Sequence, residues 1–173
     1  MYSKATVAGH PVHPMLIGFP VAFYTGTLAG FAVYAATGHQ FWLNLAIALN
    51  VVGVGSALLA ALPGFVDWSF GIPRGSAAKT VGLAHAGLNV AALVLFAISL
   101  GTYVTHWNGP ATGTTPGLAL TSAGVACTIA AGFLGWTLVQ DYHVGIHLTP
   151  GQARDELAVQ DVHRLGAHRH RAA

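Results

Sequence analysis

The main absence in this sequence is charge, with seven Lys or Arg and five Asp or Glu among 173 residues. Soluble domains devote about a quarter of their residues to these four types. Two long stretches, between Lys4 and Asp67 and between Lys79 and Asp141, contain none of them. Each stretch is long enough for two membrane crossings, since one spanning helix needs about 20 apolar residues. The composition therefore excludes an ordinary soluble domain and predicts a polytopic membrane protein.

Cysteine and the familiar catalytic motifs are scarce too, which excludes several kinds of site. The single Cys127 permits no internal disulfide and no cysteine-ligated cluster. Zinc-finger, phosphate-loop, nucleotide-fold and hydrolase motifs are missing, which argues against an enzyme of the soluble type but leaves enzymatic activity open. The formal net charge of +2 gives no reason to expect a nucleic-acid partner. The first apolar run is too long for a signal-peptide core of roughly 7 to 15 residues, so we expect a first span there.

The apolar runs predict an all-α fold of four transmembrane helices arranged as two hairpins. We expect spans at about 14–37, 41–65, 80–107 and 117–140. The predicted organisation is an entry segment over 1–13, a transmembrane domain over 14–147 and a polar cytoplasmic tail over 148–173. Pro20 should kink the first span near Leu16, because it removes one backbone hydrogen bond.

Basic residues predict the orientation of these spans. Lys4, Arg74, Lys79 and the arginines of the tail fall at one end of the bundle, whereas the links 38–40 and 108–116 hold no Lys or Arg. Cytoplasmic loops are enriched in these residues, so we expect both termini in the cytoplasm.

A weak internal echo has two interpretations, a duplicated hairpin or chance matches in a restricted set of residue types. The string Gly64-Phe65-Val66-Asp67-Trp68 ends the first hairpin, and Gly132-Phe133-Leu134-Gly135-Trp136 falls near the end of the second. His13 opens span one and His85 opens span three. Parallel copies of this kind would be related by an axis along the membrane normal.

Histidine supplies the candidate site. His10 and His13 each precede a proline, which predicts a stiff, non-helical entry segment with both imidazoles on one side. His85 lies six residues beyond Lys79, about 9 Å along its helix and inside the apolar zone, with Asn89 on the same face. An ionisable residue at that depth needs a partner or a cavity. Further candidates at the same end are Asp67, Asp141 and His143.

Three uses fit these side chains. The first is binding of haem or of a transition-metal ion by His10, His13 and His85, with Asp67 as a ligand or as an orienting carboxylate. The second is proton or quinone chemistry, since histidine titrates near neutral pH. The third is structural, with the entry histidines bonded to loops and Asp67 accepting from backbone donors. Asn89, Asp141 and His143 are secondary candidates.

The motifs resemble those of a bacterial membrane family known as domain of unknown function two-two-three-one. The string from Gly9 to Pro20 resembles its opening signature, and 63–68 resembles its second-helix ending. His85 with Asn89 resembles its third-helix motif, and 135–146 its closing motif, although Tyr142 stands where members often carry a histidine. The resemblance covers 9–146. It implies a four-helix protein of the bacterial inner membrane, and some members resemble fusions or neighbours of Rieske-type iron–sulfur proteins.

The resemblance therefore favours a redox-associated membrane component that binds haem or a metal ion and transfers electrons near quinone, with an iron–sulfur or respiratory protein as partner beside the lipid bilayer. A small transporter or proton relay is an alternative, because Pro20 and Pro63 offer breaks that transporters use. An accessory subunit of a membrane complex is another. Each of these allows a homo-oligomer.

Overall fold

The computed structural model describes residues 1–155 and 157–158, and its spanning part is helical as predicted. Strands β1 (Thr6–Val7) and β2 (His10–Pro11) pair as an antiparallel hairpin. A π-helical turn, Asp67–Gly71, extends α3, and a 3-10 turn, Val104–His106, extends α4. The main helices are α1 (Val12–Leu16), α2 (Gly18–Thr37), α3 (Gln40–Val66), α4 (Ala77–Tyr103) and α5 (Thr115–Gln140).

Four helical segments of the described chain are long and apolar enough to cross a membrane, judged by length and composition. They are Val12–Thr37, Gln40–Gly71, Ala77–His106 and Thr115–Gln140, which confirms the four predicted spans. Gly38 ends α2 in the left-handed conformation (φ 68°), and the Ser76 hydroxyl caps α4 by accepting from the Lys79 N–H. Most of the predicted tail, beyond residue 158, lies outside the described residues.

The first span is broken at Ile17, between α1 and α2. Pro20 has no N–H to donate to the carbonyl of Leu16, so the helical ladder loses a bond at this point. The flanking bonds are long, with the Val21 N–H 3.4 Å from the Ile17 carbonyl. The predicted break near Leu16 is therefore present.

The entry segment differs from its prediction. Ala8 and Gly9 both have positive φ (50° and 79°), the signature of a two-residue hairpin turn, so His10 lies in a strand. His13 lies in α1, although a proline follows it. Pro14 is tolerated there because N–H groups of a first helical turn have no intrahelical partner. The prediction of a polyproline segment with both imidazoles on one side is therefore wrong.

The two hairpins meet along a central axis, where aromatic or imidazole rings of the first span face their counterparts on α4. The same number of residues separates the two members of every pair, which is the relation that an internal two-fold axis along the membrane normal requires. The pairs, with their centroid separations, are His13 with His85 (6.2 Å), Tyr24 with Phe96 (3.7 Å) and Phe31 with Tyr103 (4.7 Å).

Glycines on α3 and α5 allow these rings to approach the helix backbones. A Cβ atom on Gly53 would lie 2.9 Å from the Tyr24 ring, and one on Gly124 would lie 2.5 Å from the Phe96 ring. Small residues of this kind let membrane helices approach closely, since lipid provides no hydrophobic force between them.

The same relation corrects the register of the internal repeat. A Cβ atom on Gly64 would meet the His13 ring at 2.7 Å, and one on Gly135 would meet the His85 ring at 3.2 Å. Gly64 therefore corresponds to Gly135, and the sequence match to Gly132 is offset by three positions. Glycine and phenylalanine recur often enough in these apolar helices to match out of register.

The N-terminal segment, the α3–α4 link and the residues after α5 gather at one end of the bundle. The Gly145 N–H donates to the Met1 carbonyl at 2.8 Å, and the Tyr2 ring stacks on His147 at 4.1 Å. In the link, the Trp68 Nε1–H donates to the Lys79 carbonyl at 3.1 Å, and the Lys79 ammonium lies 4.1 Å from the centroid of the Trp68 ring. The basic residues of the described chain thus lie mainly at this end, as predicted.

Replacing Gly124 by alanine should lower stability, because the new methyl group would overlap the Phe96 ring. Overpacking of this kind costs about 1–3 kcal/mol. Gly132 on the same helix is the matched control, because it is exposed and has open space around its Cβ position. Alanine there should leave stability unchanged or raise it by up to about 1 kcal/mol through helix propensity. Thermal unfolding in detergent measures both, and equal melting temperatures for the two variants would contradict the packing assigned to the axis.

Candidate functional site

The structure brings together the two histidines that open the first and third spans. His13 lies in α1 and His85 lies about two turns into α4, and both side chains are half-buried. Their ring centroids are 6.2 Å apart and their planes are nearly perpendicular, at 88°. The imidazoles therefore form one local site on the central axis, and we call them the histidine pair.

Each ring of the histidine pair is fixed by a backbone carbonyl of the neighbouring helix. His13 Nδ1 lies 2.8 Å from the carbonyl oxygen of Ala60, and His85 Nδ1 lies 2.8 Å from that of Ala131. A carbonyl can only accept, so each Nδ1 carries the hydrogen. In the neutral ring, Nε2 then holds a free lone pair. This is the tautomer in which histidine binds a metal through Nε2 while Nδ1 orients the ring.

Glycines make these two carbonyls accessible. Gly64 and Gly135 lie one turn after Ala60 and Ala131, and a side chain at either position would collide with the ring. None of these four residues is among those predicted for the site. A small residue precedes glycine by four positions more than once in each hairpin. The pairs Ala60–Gly64 and Ala131–Gly135 are distinguished by their separation of 71 residues, nearly the 72 residues between His13 and His85, and that interval is the signal that could have revealed them.

The two halves of the site differ in one polar group. The Asn89 side-chain amide lies 3.2 Å from His85 Nε2 and also donates to the His85 carbonyl at 2.9 Å. The equivalent position beside His13 is Ile17, which has no polar side chain. Within the described chain no hydrogen bond reaches His13 Nε2. The Asn89 amide therefore lies at the Nε2 lone pair of His85, whereas the Nε2 lone pair of His13 has no hydrogen-bond donor among the described residues.

His10 and Asp67 do not join the histidine pair, contrary to the predicted four-residue metal set. His10 is exposed, and its Nδ1 bonds back to the Ala8 carbonyl at 3.0 Å within the hairpin. The Asp67 carboxylate accepts from the Ser3 hydroxyl at 2.7 Å and from two backbone N–H groups, those of Lys4 at 2.6 Å and Ala5 at 2.9 Å. Asp67 anchors the N-terminal segment, which is the backbone-accepting role in the structural alternative.

Of the secondary candidates, Asp141 and His143 do not join the histidine pair. Asp141 is exposed at the end of α5, and His143 is half-buried beyond it in a left-handed conformation (φ 51°). Among the described residues no group of three or more His, Cys, Asp or Glu side chains is arranged to hold a metal ion. Of the candidate residues, the structure assembles only His13, His85 and Asn89.

Comparison with known protein families gives a match over most of the chain. The model of the family described as "Predicted membrane protein (DUF2231)" matches residues 9–148. The chain belongs to this family, as the resemblance of its motifs predicted. Neither the comparison with curated proteins nor that with solved structures gives a match.

The hydrogen bonds to Ala60 and Ala131 predict the tautomers of His13 and His85. At a pH where both rings are neutral, the ¹⁵N chemical shifts should show a protonated Nδ1 and an unprotonated Nε2 in each, because the carbonyls accept only from a hydrogen on Nδ1. Solid-state NMR of selectively labelled protein in lipid measures this. The variants H13N and H85N assign the signals, and a protonated Nε2 on either ring would contradict the geometry of the site.

Proposed function

We propose that His13 and His85 would hold a haem through their imidazoles, and that the protein is an electron-transfer component of its membrane. The observation that carries this proposal is a pair of imidazoles on equivalent positions of two hairpins, each with Nδ1 bonded to a carbonyl, so that Nε2 is the nitrogen that could bind a metal. Helical bundles use facing side chains of this kind to bind cofactors in their interiors.

The number of donors favours haem iron over a bare ion. A zinc ion takes three or four protein ligands, and His13 and His85 have no third His, Cys, Asp or Glu grouped with them among the described residues. Haem iron carries four nitrogen ligands of its own, so two imidazoles complete its coordination. The donor set present therefore fits haem.

The separation of the rings is compatible with this role. Metal–imidazole bonds are about 2.0–2.1 Å long, so two rings that hold one metal would have centroids within about 6 Å of each other. The centroids of His13 and His85 are 6.2 Å apart.

In this proposal the protein holds and orients the group. Haem supplies reversible one-electron transfer when it is bound. The Ala60 and Ala131 carbonyls would fix the ring orientations and raise the basicity of the ligands. The Asn89 amide would release His85 Nε2 and keep its bond to the His85 carbonyl.

Purified protein supplied with haem should show a Soret band at one haem per chain, with the reduced spectrum of an iron bound by two imidazoles. The variants H13A and H85A should each lower the haem affinity at least about tenfold, because each loses a ligand. H10A is the matched control, since His10 is an exposed histidine of the neighbouring hairpin and should bind haem like the parent.

Metal analysis of the same preparations covers binding of a bare ion. Haem binding that is equal in the parent and in the double variant H13A/H85A would contradict the proposal. A colourless, metal-free parent whose stability is unchanged by H85A would contradict it as well.

A second candidate function is a proton relay or small transporter. It is favoured by the contact between two titratable rings, one with an open Nε2, where two copies of a hairpin meet. Proton flux into liposomes from cofactor-free protein, lost in H85A, would support this function. An accessory subunit predicts neither spectrum nor flux, but co-purification with a respiratory or iron–sulfur protein.

We further propose that the protein lies in a bacterial inner membrane with both termini in the cytoplasm, because the basic end of the bundle contains Lys4, Arg74 and Lys79. The histidine pair would then lie near the cytoplasmic leaflet, within reach of a soluble or peripheral redox partner.

Cysteine labelling in a C127A background tests this orientation. An impermeant maleimide added to intact cells should label A111C, in the link between α4 and α5, but not A77C, at the start of α4. Both positions are exposed, so lysed cells should label equally at the two sites. The reverse pattern in intact cells would place the basic end outside the cytoplasm and contradict the proposal.

A further inference from the structure

A layer of polar side chains crosses the interior of the bundle well away from the histidine pair. Each spanning helix contributes one side chain, and all four are 0 or 1% exposed. They are Thr27 of α2, Asn50 of α3, Ser99 of α4 and Thr121 of α5. We call this set the polar layer. The layer lies fourteen residues beyond His13, roughly 20 Å along the first span, and is thus separate from the histidine pair.

The stacked rings on the axis fix the depth of two of these side chains. Thr27 lies three residues after Tyr24, and Ser99 lies three residues after Phe96. Tyr24 and Phe96 stack face to face at 3.7 Å, so Thr27 and Ser99 occupy equivalent positions about one turn further along.

The glycines beneath the rings place the other two side chains at the same depth. α3 and α5 run antiparallel to α2 and α4, and Asn50 lies three residues before Gly53 as Thr121 lies three residues before Gly124. Gly53 lies against the Tyr24 ring and Gly124 against the Phe96 ring. Asn50 confirms the level directly, because its Nδ2 donates to the Phe96 carbonyl at 3.2 Å.

Two atoms of the polar layer have no hydrogen-bond partner among the described residues, namely Asn50 Oδ1 and Ser99 Oγ. The Thr27 and Thr121 hydroxyls donate to carbonyls one turn earlier on their own helices, at 2.8 and 2.7 Å, which leaves lone pairs on their oxygens. An unpaired buried polar atom destabilises the folded state, because it has lost its hydrogen bonds to water. Lipid offers no hydrogen bonds, so a partner must lie inside the bundle.

The unpaired groups specify the chemistry of that partner. The Ser99 hydroxyl can donate, Asn50 Oδ1 can only accept, and the threonine oxygens can accept. A ligand that both accepts and donates hydrogen bonds therefore fits. A cation would accept no hydrogen bond from Ser99 and would carry an unpaired charge into the bilayer.

We propose that the polar layer binds a water molecule, which accepts from Ser99, donates to Asn50 Oδ1, and uses its second hydrogen on Thr27 or Thr121. Buried waters make two to four such bonds to groups that would otherwise be unpaired. The function is an internal hydration site midway through the membrane, formed by one side chain from each span.

Infrared difference spectroscopy of the protein in lipid nanodiscs, exchanged between H₂¹⁶O and H₂¹⁸O, tests this site. The parent should show an isotope-sensitive O–H stretching band of a sequestered water, and S99A and N50L should each lose it. The matched control is T102A, since Thr102 is an exposed hydroxyl on the same helix that donates to its own Ile98 carbonyl at 2.9 Å. T102A should keep the band.

Absence of the band in the parent, or its persistence in S99A and N50L alike, would overturn the proposal. Far-UV circular dichroism confirms that each variant is folded, and the parent spectrum decides the outcome if a variant misfolds. A saturable rise in melting temperature with sodium over choline chloride, abolished by S99A, would assign the layer to a cation instead. None of these measurements depends on haem, so their outcome is independent of the proposal that His13 and His85 hold a haem.

Discussion

The close approach of rings to glycines along the central axis is the constraint on which the rest of this structure depends. Between membrane helices the surrounding lipid is as apolar as the helices, so association rests on packing and on internal hydrogen bonds. Tyr24 and Phe96 can stack at 3.7 Å only because Gly53 and Gly124 present bare backbone to them. That contact fixes the separation and relative depth of the two hairpins. The apposition of the histidines at one end, and of four polar side chains in the interior, follows from it.

Much of this arrangement was predictable from local physical rules. The charge-free stretches predicted four spans, and Pro20 predicted the break near Leu16, because both depend on chemistry within a few residues. The depth of His85 predicted that its ring needs a partner, and the ring meets His13. The bonding of these rings to the Ala60 and Ala131 carbonyls was beyond prediction, since those contacts join residues far apart in the chain.

The errors arose where a general tendency was overridden by position within a helix or by a tertiary contact. A proline disfavours helix for the residue before it, but Pro14 lies in a first turn where its missing N–H has no consequence, so His13 is helical. A carboxylate at a helix end can bind a metal or cap a backbone. Asp67 does the second because the folded N-terminal segment brings Ser3 and two backbone N–H groups to it. Composition contains no information about which donors arrive.

The two hairpins carry matching residues where they pack together, and they differ at two polar positions. The residues that hold the hairpins together are matched across the axis, as Gly53 is by Gly124. Two polar residues depart from the match, because Asn89 stands opposite Ile17 and Asn50 opposite Thr121. Each departure places an amide next to a polar group of α4. Asn89 contacts the His85 ring, and Asn50 donates to the Phe96 carbonyl. A polar group inside a membrane is costly unless it is bonded, and each of these two amides has a hydrogen-bond partner inside the bundle.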